Sequence, residues 1–234
     1  MRVAAIIAAA GLGRRMQQDL PKTYLRLLGK PILIHTLEIF EMVPGVHEVL
    51  VVVHPEDLEF CQEEIIDPYP LKKVLRLVPG GKERQDSVYH ALKVLRKESE
   101  NLDVIVVHDG VRPLVAPAQV SQVVSAARKY GSAVLGIPCQ DTLKRVNSRG
   151  EVIDTVDRQK LWQIQTPQAF QAALLWQAYR EAMDQKFYAT DEAALVEALG
   201  KPVVVVPGSC LNLKITTPDD LKMAEALLSF RQTL

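Results

Sequence analysis

Six short runs of mostly β-branched apolar residues recur along the 234-residue chain, at residues 3–7, 48–53, 74–78, 104–107, 133–137 and 203–206. Between several of them lie amphipathic segments, such as residues 32–42, 87–98 and 117–130, whose apolar positions repeat at helical spacing. Continuous apolar strands that alternate with helices predict an α/β fold, in which a mostly parallel sheet is covered on both faces. Ligands of such sheets bind beyond the carboxyl ends of the strands. The loops directly after the strands are therefore the expected positions of ligand-binding and catalytic residues.

Residues 138–160 break this alternation. Polar and apolar positions alternate on either side of the turn-forming residues 147–150, which predicts a β-hairpin inside a single domain spanning residues 1–234. The hairpin is too small and too polar to form a core of its own. It is either a flap over a binding site or an arm that packs on a second subunit. We favour the arm, because an isolated hairpin is only marginally stable in water.

Composition narrows the choice of partners and compartment. The chain has 28 Lys and Arg against 28 Asp and Glu, so a net charge of zero gives no general reason to expect nucleic-acid or membrane binding. Three widely separated cysteines, Cys61, Cys139 and Cys210, fit reduced thiols better than a disulfide framework. No apolar stretch approaches the ~20 residues that a membrane span needs. We therefore expect a cytoplasmic protein in which any polyanion site is a local cluster of basic residues.

The most informative segment is residues 8–24, AAAGLGRRMQQDLPKTY, which follows the first apolar run. Small residues there allow backbone N–H groups to approach phosphate oxygens closely, and basic residues can supply positive charge. The residues concerned are Ala9, Ala10, Gly11 and Gly13 for close approach and Arg14, Arg15 and Lys22 for charge. Neither the Walker loop nor the G-x-G-x-x-G fingerprint is completed. The segment is either a phosphate-binding loop or a plain turn with solvated basic residues.

The loop after the third run, residues 79–88, contains the paired glycines Gly80 and Gly81. Glycines permit close backbone approach, so backbone groups of this loop could read the edge of a pyrimidine. Ser87 or Asp86 is expected to cap the helix that follows.

Two further positions carry charged groups at places where a ligand could bind. Asp109 comes directly after the fourth run, where a carboxylate can bind a ribose hydroxyl or help to organise a metal ion; it could equally cap a helix or pair with Arg112. Lys214 lies between Leu213 and Ile215, and on a strand it would point to the opposite face from both. This lysine is either solvated on an edge strand or directed at phosphate. The sequence after it, residues 217–220, predicts a helix start.

Nine fragments, in this order and across nearly the whole chain, closely resemble the 2-C-methyl-D-erythritol 4-phosphate cytidylyltransferase family of the non-mevalonate isoprenoid pathway: AAAGLGRRM, PKTYL, GGKERQDSV, HDGVRP, DTLKR, TVDRQKLW, QTPQAF, TDEA and NLKITTPDDL. The resemblance implies a Rossmann-like, three-layer α/β nucleotidyltransferase fold with a mostly parallel sheet and a projecting β-hairpin arm. It also implies a homodimer with exchanged arms. The implied reaction converts CTP and 2-C-methyl-D-erythritol 4-phosphate into the cytidine diphosphate alcohol and pyrophosphate, with Mg²⁺ or another divalent cation.

The resemblance also assigns roles to residues of this chain. The catalytic cations are Arg15, Lys22, Lys214 and Arg158. The nucleotide contacts are Ala9, Ala10, Gly11, Gly81, Ser87, Asp109 and Gly110, and the contacts to the alcohol phosphate are Arg112, Thr142, Arg158, Thr166, Thr190 and Lys214. Thr142 and Arg158 lie in the arm and would serve the neighbouring subunit's site. The metal ion would be held mainly by the CTP phosphates, with Asp109 as a possible protein ligand.

The chain departs from the family pattern at two positions. Lys82 stands where some members carry an acidic residue, which affects any nucleotide contact made by that side chain. Ala8 stands where some relatives have proline, and little consequence is expected because backbone groups make the contacts there.

The implied nucleophile is a phosphate monoester oxygen, which is largely deprotonated at neutral pH and needs no general base. We therefore expect His35 and His108 to be structural, and catalysis to rest on positioning and charge neutralisation. Two alternatives stay open: a cytidylyltransferase acting on ribitol 5-phosphate, and a catalytically silent nucleotide-sensing subunit that keeps the fold. The presence of both Arg15 and Lys22 disfavours the silent subunit.

Overall fold

The computed structural model describes residues 1–11, 20–98 and 101–232. The strands are β1 (Val3–Ala8), β2 (Arg26–Leu27), β3 (Lys30–Pro31), β4 (Glu48–Val53), β5 (Val74–Pro79), β6 (Val104–Asp109), β7 (Ser132–Pro138), β8 (Leu143–Val146), β9 (Val152–Val156), β10 (Trp162–Gln171) and β11 (Val204–Pro207). The α-helices are α1 (Ile32–Met42), α2 (Leu58–Phe60), α3 (Arg84–Glu98), α4 (Pro117–Tyr130), α5 (Ala172–Asp184), α6 (Glu192–Ala198) and α7 (Pro218–Gln232). Short 3₁₀-helices cover Lys22–Tyr24 and Pro55–Asp57, and a π-helix covers Cys61–Ile66. Within the described ranges, no helix combines the length and the apolar character needed to cross a membrane.

Seven strands form one central sheet in the order β11-β7-β10-β6-β1-β4-β5. The pairs β1–β4, β1–β6, β4–β5 and β7–β11 are parallel, whereas β10 runs antiparallel to both of its neighbours, β6 and β7. All six predicted strands belong to this sheet, and the mostly parallel architecture is confirmed. The sequence patterns did not predict β10.

Helices cover both faces of the sheet, and the alternation within β1 shows why its apolar run is continuous. Val3, Ala5 and Ile7 are fully buried against the layer that contains α1 and α4. Ala4 and Ile6 are equally buried against the layer that contains α3, α5 and α6. Because both faces of the strand are inside the protein, each position has to be apolar. This gives the expected three layers.

A smaller apolar cluster attaches the C-terminal helix to the sheet's end. Ile215 is fully buried beside Leu27 and Val111, and α7 adds Ala224 to the same cluster. The helix begins where predicted, because the Thr217 hydroxyl accepts the Asp220 amide while the Asp220 carboxylate accepts the Thr217 amide.

The predicted hairpin is present as β8 and β9, which pair with each other around the turn at residues 147–150 and with no other strand in the described part of the chain. Its apolar side chains have little to pack on within the chain. Val146, Val152 and Ile153 are each at least half exposed, and Trp162 and Ile164 at the adjoining end of β10 are about 40% exposed. The arm therefore presents an apolar surface to its surroundings.

Candidate active site

A cavity of about 500 Å³ opens at the carboxyl ends of β1, β4 and β6, where the strand order predicts a ligand site. Eight of the residues that the sequence analysis assigned to the site line this cavity: Ala9, Ala10, Gly11, Lys22, Gly81, Ser87, Asp109 and Lys214. They come from five separate parts of the sequence. The fold thus brings the small-residue loop (residues 8–11), the glycine loop (residues 79–83) and two lysines to one place.

The small-residue loop is anchored to the strands on either side of β1. The Ala9 amide donates to the Val52 carbonyl at 2.8 Å, and the Gly110 amide donates to the Ala8 carbonyl at 2.9 Å. The Ala9 N–H is therefore committed to the sheet, which corrects the expectation that it reaches a phosphate oxygen. Gly110 lies beneath the loop, where a Cβ atom would come within 3.2 Å of Ala9 Cβ. Of the predicted loop residues, Gly13, Arg14 and Arg15 lie outside the described ranges.

The glycine loop is closed by Ser87. The Ser87 hydroxyl accepts the Gly81 amide and donates to the Glu83 carbonyl, both at 3.0 Å. A Cβ atom at Gly81 would lie 2.4 Å from Asp86 Cβ, so only glycine fits this approach. The helix begins at Arg84, before Ser87, and Asp86 accepts the Glu83 amide at its start. Ser87 therefore shapes the loop and does not cap the helix.

Lys22 reaches the cavity from a 3₁₀-helix whose other two residues are anchored in the protein. Thr23 and Tyr24 are buried, and the Tyr24 ring contacts Phe60 with a centroid separation of 5.6 Å. Burial raises the pKa of the Tyr24 phenol, so it stays neutral. The backbone that carries Lys22 is thereby fixed beside the small-residue loop.

Asp109 ends β6 at the floor of the cavity and is surrounded by three cations. Its carboxylate lies 2.8 Å from Lys214 Nζ, 3.4 Å from Arg84 Nε and 3.6 Å from Arg112 Nε. Burial alone would raise the pKa of this carboxyl, but Arg84, Lys214 and Arg112 outweigh it and hold the pKa well below its ordinary value. Asp109 is therefore an anion under all ordinary conditions.

Arg84 and Glu192, which the sequence patterns did not single out, extend this charge network into the protein. Arg84 Nη1 contacts both carboxylate oxygens of Glu192, at 2.7 and 3.0 Å, and the Tyr179 hydroxyl donates to the same carboxylate at 2.9 Å. Glu192 is only 1% exposed. Burial works against the charge of Arg84, but Glu192 and Asp109 raise its pKa nonetheless.

Thr166 and His108 support Asp109 from behind. The Thr166 hydroxyl accepts the Asp109 amide at 3.0 Å and contacts His108 Nδ1 at 3.0 Å, while His108 Nε2 donates to the Arg112 carbonyl at 3.2 Å. Burial lowers the pKa of His108 to about 4, which makes it neutral. His35 is bound to the Leu27 carbonyl at 2.8 Å. Both histidines hold backbone in place, as expected.

Lys214 does not lie on a strand, which corrects the sequence-based expectation. Residues 213–216 form an irregular segment that is held by the Ile215 amide, which donates to the Val111 carbonyl at 2.9 Å. Arg112 Nη1 donates to the Asn212 carbonyl at 2.7 Å in the same region. Burial of Ile215 still directs Lys214 away from the core and towards Asp109, so the predicted opposition of the two side chains is retained.

The other predicted contacts to the alcohol phosphate lie apart from the cavity lining. Arg112 and Thr166 are held behind Asp109 by the bonds described above. Thr190 lines a neighbouring depression together with Lys82 and Tyr188. Thr142 and Arg158 are exposed in the arm, where Arg158 donates to the Gln140 carbonyl.

Two more residues of the cavity wall were not predicted. His54 follows β4 and lines the cavity between the small-residue loop and the glycine loop. Its position directly after an apolar strand was the available signal. Glu83 lines the cavity beside Lys82, which is exposed at the rim.

The described side chains do not fit a protein-held metal ion. Residues 1–11, 20–98 and 101–232 contain no group of three or more His, Cys, Asp or Glu placed to hold one. Asp109 was the possible ligand, but its carboxylate is already matched by Arg84, Lys214 and Arg112. A metal ion bound to Asp109 would be repelled by these three positive charges.

Comparison with known proteins agrees with this geometry. The model of the 2-C-methyl-D-erythritol 4-phosphate cytidylyltransferase (IspD) family matches residues 3–230. The 2-C-methyl-D-erythritol 4-phosphate cytidylyltransferase of Syntrophus aciditrophicus is 47% identical over 227 residues, covering 97% of this chain and 96% of that protein. The protein of the same name from Desulforamulus reducens is 46% identical over 229 residues, covering 98% and 97%.

Solved structures share the fold along nearly the whole chain. The 4-diphosphocytidyl-2C-methyl-D-erythritol synthase of Anaerococcus prevotii superposes with a TM-score of 0.83 at 31% identity, covering 97% of this chain and 96% of that one. The 2-C-methyl-D-erythritol 4-phosphate cytidylyltransferase of Francisella tularensis gives a TM-score of 0.82 at 32% identity, covering 97% and 99%. The chain therefore belongs to the 2-C-methyl-D-erythritol 4-phosphate cytidylyltransferase family.

Proposed function

We propose that this chain transfers the cytidylyl group of CTP to 2-C-methyl-D-erythritol 4-phosphate, giving 4-diphosphocytidyl-2-C-methyl-D-erythritol and pyrophosphate in non-mevalonate isoprenoid biosynthesis. One observation carries the proposal. The small-residue loop, the glycine loop, Lys22, Lys214 and Asp109 meet in a single cavity at the carboxyl ends of the strands. Family membership supplies the identity of the two substrates.

The cavity suits a nucleoside triphosphate. The small-residue and glycine loops leave room for a flat base beside the backbone, and Ser87 fixes the glycine loop in that shape. Asp109, a permanent anion at the cavity floor, is placed to accept a ribose hydroxyl. Lys22 and Lys214 line the same cavity and bring two positive charges towards the triphosphate and the incoming alcohol phosphate.

The reaction is a displacement at the α-phosphorus of CTP. A phosphate oxygen of the alcohol phosphate forms the new P–O bond, and the bond to the pyrophosphate oxygen breaks. The attacking oxygen is already deprotonated at neutral pH, so no side chain has to remove a proton. What the protein supplies is positioning and positive charge, from Lys22 and Lys214 and, by the family pattern, from Arg15 and the arm residue Arg158.

We propose that a divalent cation such as Mg²⁺ binds together with CTP and is held mainly by the CTP phosphates. Magnesium commonly uses substrate phosphates and water as ligands and needs few protein carboxylates. That arrangement agrees with the cations around Asp109, which leave that carboxylate unsuited to metal binding.

We further propose that the chain acts as a cytoplasmic homodimer with exchanged arms. The exposed apolar residues of the arm, Val146, Val152 and Ile153, give a second subunit something to bury. In such a dimer, Thr142 and Arg158 would contribute to the neighbouring subunit's cavity. The three cysteines, all unpaired, fit a reducing compartment.

The deciding experiment is an assay of pyrophosphate release. Each of the four ribonucleoside triphosphates is tested with 2-C-methyl-D-erythritol 4-phosphate and with ribitol 5-phosphate. Release that requires CTP and the methylerythritol substrate supports the proposal. Release with ribitol 5-phosphate alone would reassign the substrate, and release with neither alcohol would refute the transferase function.

A further inference from the structure

The Arg84 guanidinium lies closer to Glu192 than to Asp109. Arg84 Nη1 lies 2.7 Å from Glu192 Oε1, the length of a charged hydrogen bond, whereas Arg84 Nε lies 3.4 Å from Asp109 Oδ1. The guanidinium is therefore bound by Glu192 and only faces Asp109. On the other side of Asp109, Oδ2 takes the short contact with Lys214 at 2.8 Å.

We propose that Glu192 is a positioning residue for nucleotide recognition: by holding Arg84, it keeps the guanidinium off Asp109 Oδ1 and leaves that oxygen to accept a ribose hydroxyl. The inference rests on the proposed function, because it takes Asp109 as the group that binds the ribose. Glu192 itself does not line the cavity, so it acts through Arg84.

Glu192 is itself held firmly enough to perform this role. The Tyr179 hydroxyl donates to its Oε1 at 2.9 Å, and the residue is 1% exposed at the first turn of α6. The start of α6 is fixed in turn by Asp191, which accepts the Ala194 amide, and by Gln168, which donates to Asp191 at 2.8 Å. A carboxylate fixed in this way sets where the guanidinium of Arg84 lies.

The balance of charges also indicates that Glu192 keeps Arg84 away from Asp109. Three cations, Arg84, Arg112 and Lys214, face two carboxylates, Asp109 and Glu192. If the charge of Glu192 is removed, Asp109 becomes the anion nearest to Arg84. The Arg84 guanidinium would then be drawn to Asp109, because that buried carboxylate already lies 3.4 Å away and opposite charges attract strongly at such a separation. Arg84 would then occupy Asp109 Oδ1 and compete with the ribose.

The test measures ribose recognition directly. Dissociation constants for CTP and for 2′,3′-dideoxy-CTP are measured by calorimetry on the full chain with Mg²⁺ present. In the wild type, loss of the ribose hydroxyls should weaken binding by at least about tenfold, as expected for a hydrogen bond to a charged group. In Glu192→Gln the ratio of the two constants should fall to within about twofold of unity, because Asp109 is no longer available to the ribose.

Two further variants separate positioning from packing. Tyr179→Phe removes only one of the contacts that fix Glu192. The charge of Glu192, its bonds to Arg84 and the anchoring of α6 by Asp191 and Gln168 remain, so the ratio should stay within about twofold of the wild-type value. In the double variant Arg84→Gln, Glu192→Gln the competing cation is gone together with its partner, so the ratio should recover. If Glu192→Gln does not fold, Glu192→Asp replaces it. That variant keeps the charge but withdraws the carboxylate from Arg84, and the ratio should fall at least about threefold.

The outcomes are distinguishable. Three results would overturn the role of Glu192. The first is a wild-type ratio in Glu192→Gln, or in Glu192→Asp if Glu192→Gln does not fold. The second is an equal loss in Tyr179→Phe, and the third is no recovery in the double variant. A wild type that binds both nucleotides equally also overturns it, while cytidylyl transfer is then judged by turnover. A wild type that binds no CTP refutes the proposed function itself.

Discussion

The ammonium group of Lys214 lies 2.8 Å from Asp109 Oδ2, although one residue ends a strand and the other belongs to an irregular segment just before the last helix. The Lys214 side chain is still 40% exposed, so it remains open to a ligand in the cavity. A lysine held in advance loses less conformational freedom when a phosphate arrives. Its positive charge is therefore in place before the negative charge of the transition state develops.

Removal of this charge should affect turnover far more than stability. We expect Lys214→Met to lower kcat/KM for cytidylyl transfer by about 10²–10³-fold, the usual effect of deleting one preorganised electrostatic group. Thermal unfolding should change little, because Asp109 still faces the positive charges of Arg84 and Arg112. The matched control is Lys222→Met on α7, an exposed lysine paired with Asp219 at 3.1 Å. Equal activities of the two variants would remove Lys214 from the mechanism.

Lys22 should behave as a second such group. It projects into the cavity from a turn fixed by the buried Thr23 and Tyr24, so Lys22→Ala should leave the fold intact. We expect kcat to fall by about 10²–10³-fold, with the melting temperature nearly unchanged. Lys97→Ala, at an exposed position of α3, serves as the control. A variant at Lys22 that turns over at the wild-type rate would contradict its catalytic role.

The glycine loop gives a steric prediction. In Gly81→Ala the new methyl group would lie 2.4 Å from Asp86 Cβ, so the loop has to move away from the start of α3. Displacement of a binding loop by a few tenths of an ångström or more should raise the KM for CTP about ten- to hundredfold. Gly45→Ala is the control, since a Cβ atom there meets nothing within 4 Å. Steady-state kinetics at varied CTP would show the difference, and unchanged KM in both variants would contradict it.

His108 makes stability depend on pH. Burial lowers its pKa from 6.5 to about 4 in the folded protein, so between these values the unfolded chain binds a proton that the folded chain does not. Stability from this group is complete above pH 6.5 and is lost as the pH falls towards 4. Between pH 7 and pH 5 the loss is about 2 kcal/mol. Asp109, whose folded pKa is also lowered, contributes only further towards acid, as the pH falls below the ordinary range of a carboxyl.

The measurement compares wild type with His108→Gln in urea unfolding at pH 7 and pH 5. The free energy of unfolding of the wild type should drop by about 2 kcal/mol more than that of the variant. His35, whose pKa is also lowered by burial, titrates in both proteins and cancels in the comparison. Equal drops would show that His108 is not the group that titrates.

The sheet was largely predictable because most of its strands are buried on both faces and have to be apolar throughout. Strand β10 escaped prediction for a specific reason. Its inner half contains Gln165, Thr166 and Gln168, which are all buried, and Pro167 between them. Their polar groups are satisfied by distant partners, among them Asn212, His108 and Asp191. A pattern of local hydrophobicity does not contain those partners.

The site shows the same division. Loops after apolar strands pointed to Asp109, the small-residue loop and the glycine loop, because position at a strand end follows from the local pattern. The pairing of Arg84 with Glu192 joins residues 108 positions apart and exists only once α3 and α6 pack on the same face. A glutamate at the start of the apolar segment EAALVEA was the only local signal, since a charge there has to be paired if it is buried.

The arm yields a prediction about subunit sharing. Arg158 and Thr142 are exposed on the arm and do not line their own chain's cavity, whereas Lys22 does. In a homodimer with exchanged arms, a mixed dimer of Arg158→Ala and Lys22→Ala chains therefore has one site that carries both lesions and one that carries neither. Each homodimer should be nearly inactive, and a mixed dimer should regain up to about half of wild-type turnover, because one of its two sites is intact.

The measurement is pyrophosphate release from heterodimers purified through two different affinity tags, with mixed Lys97→Ala and wild-type chains as the control. Verified heterodimers that stay as inactive as the homodimers would show that each arm serves its own chain's site.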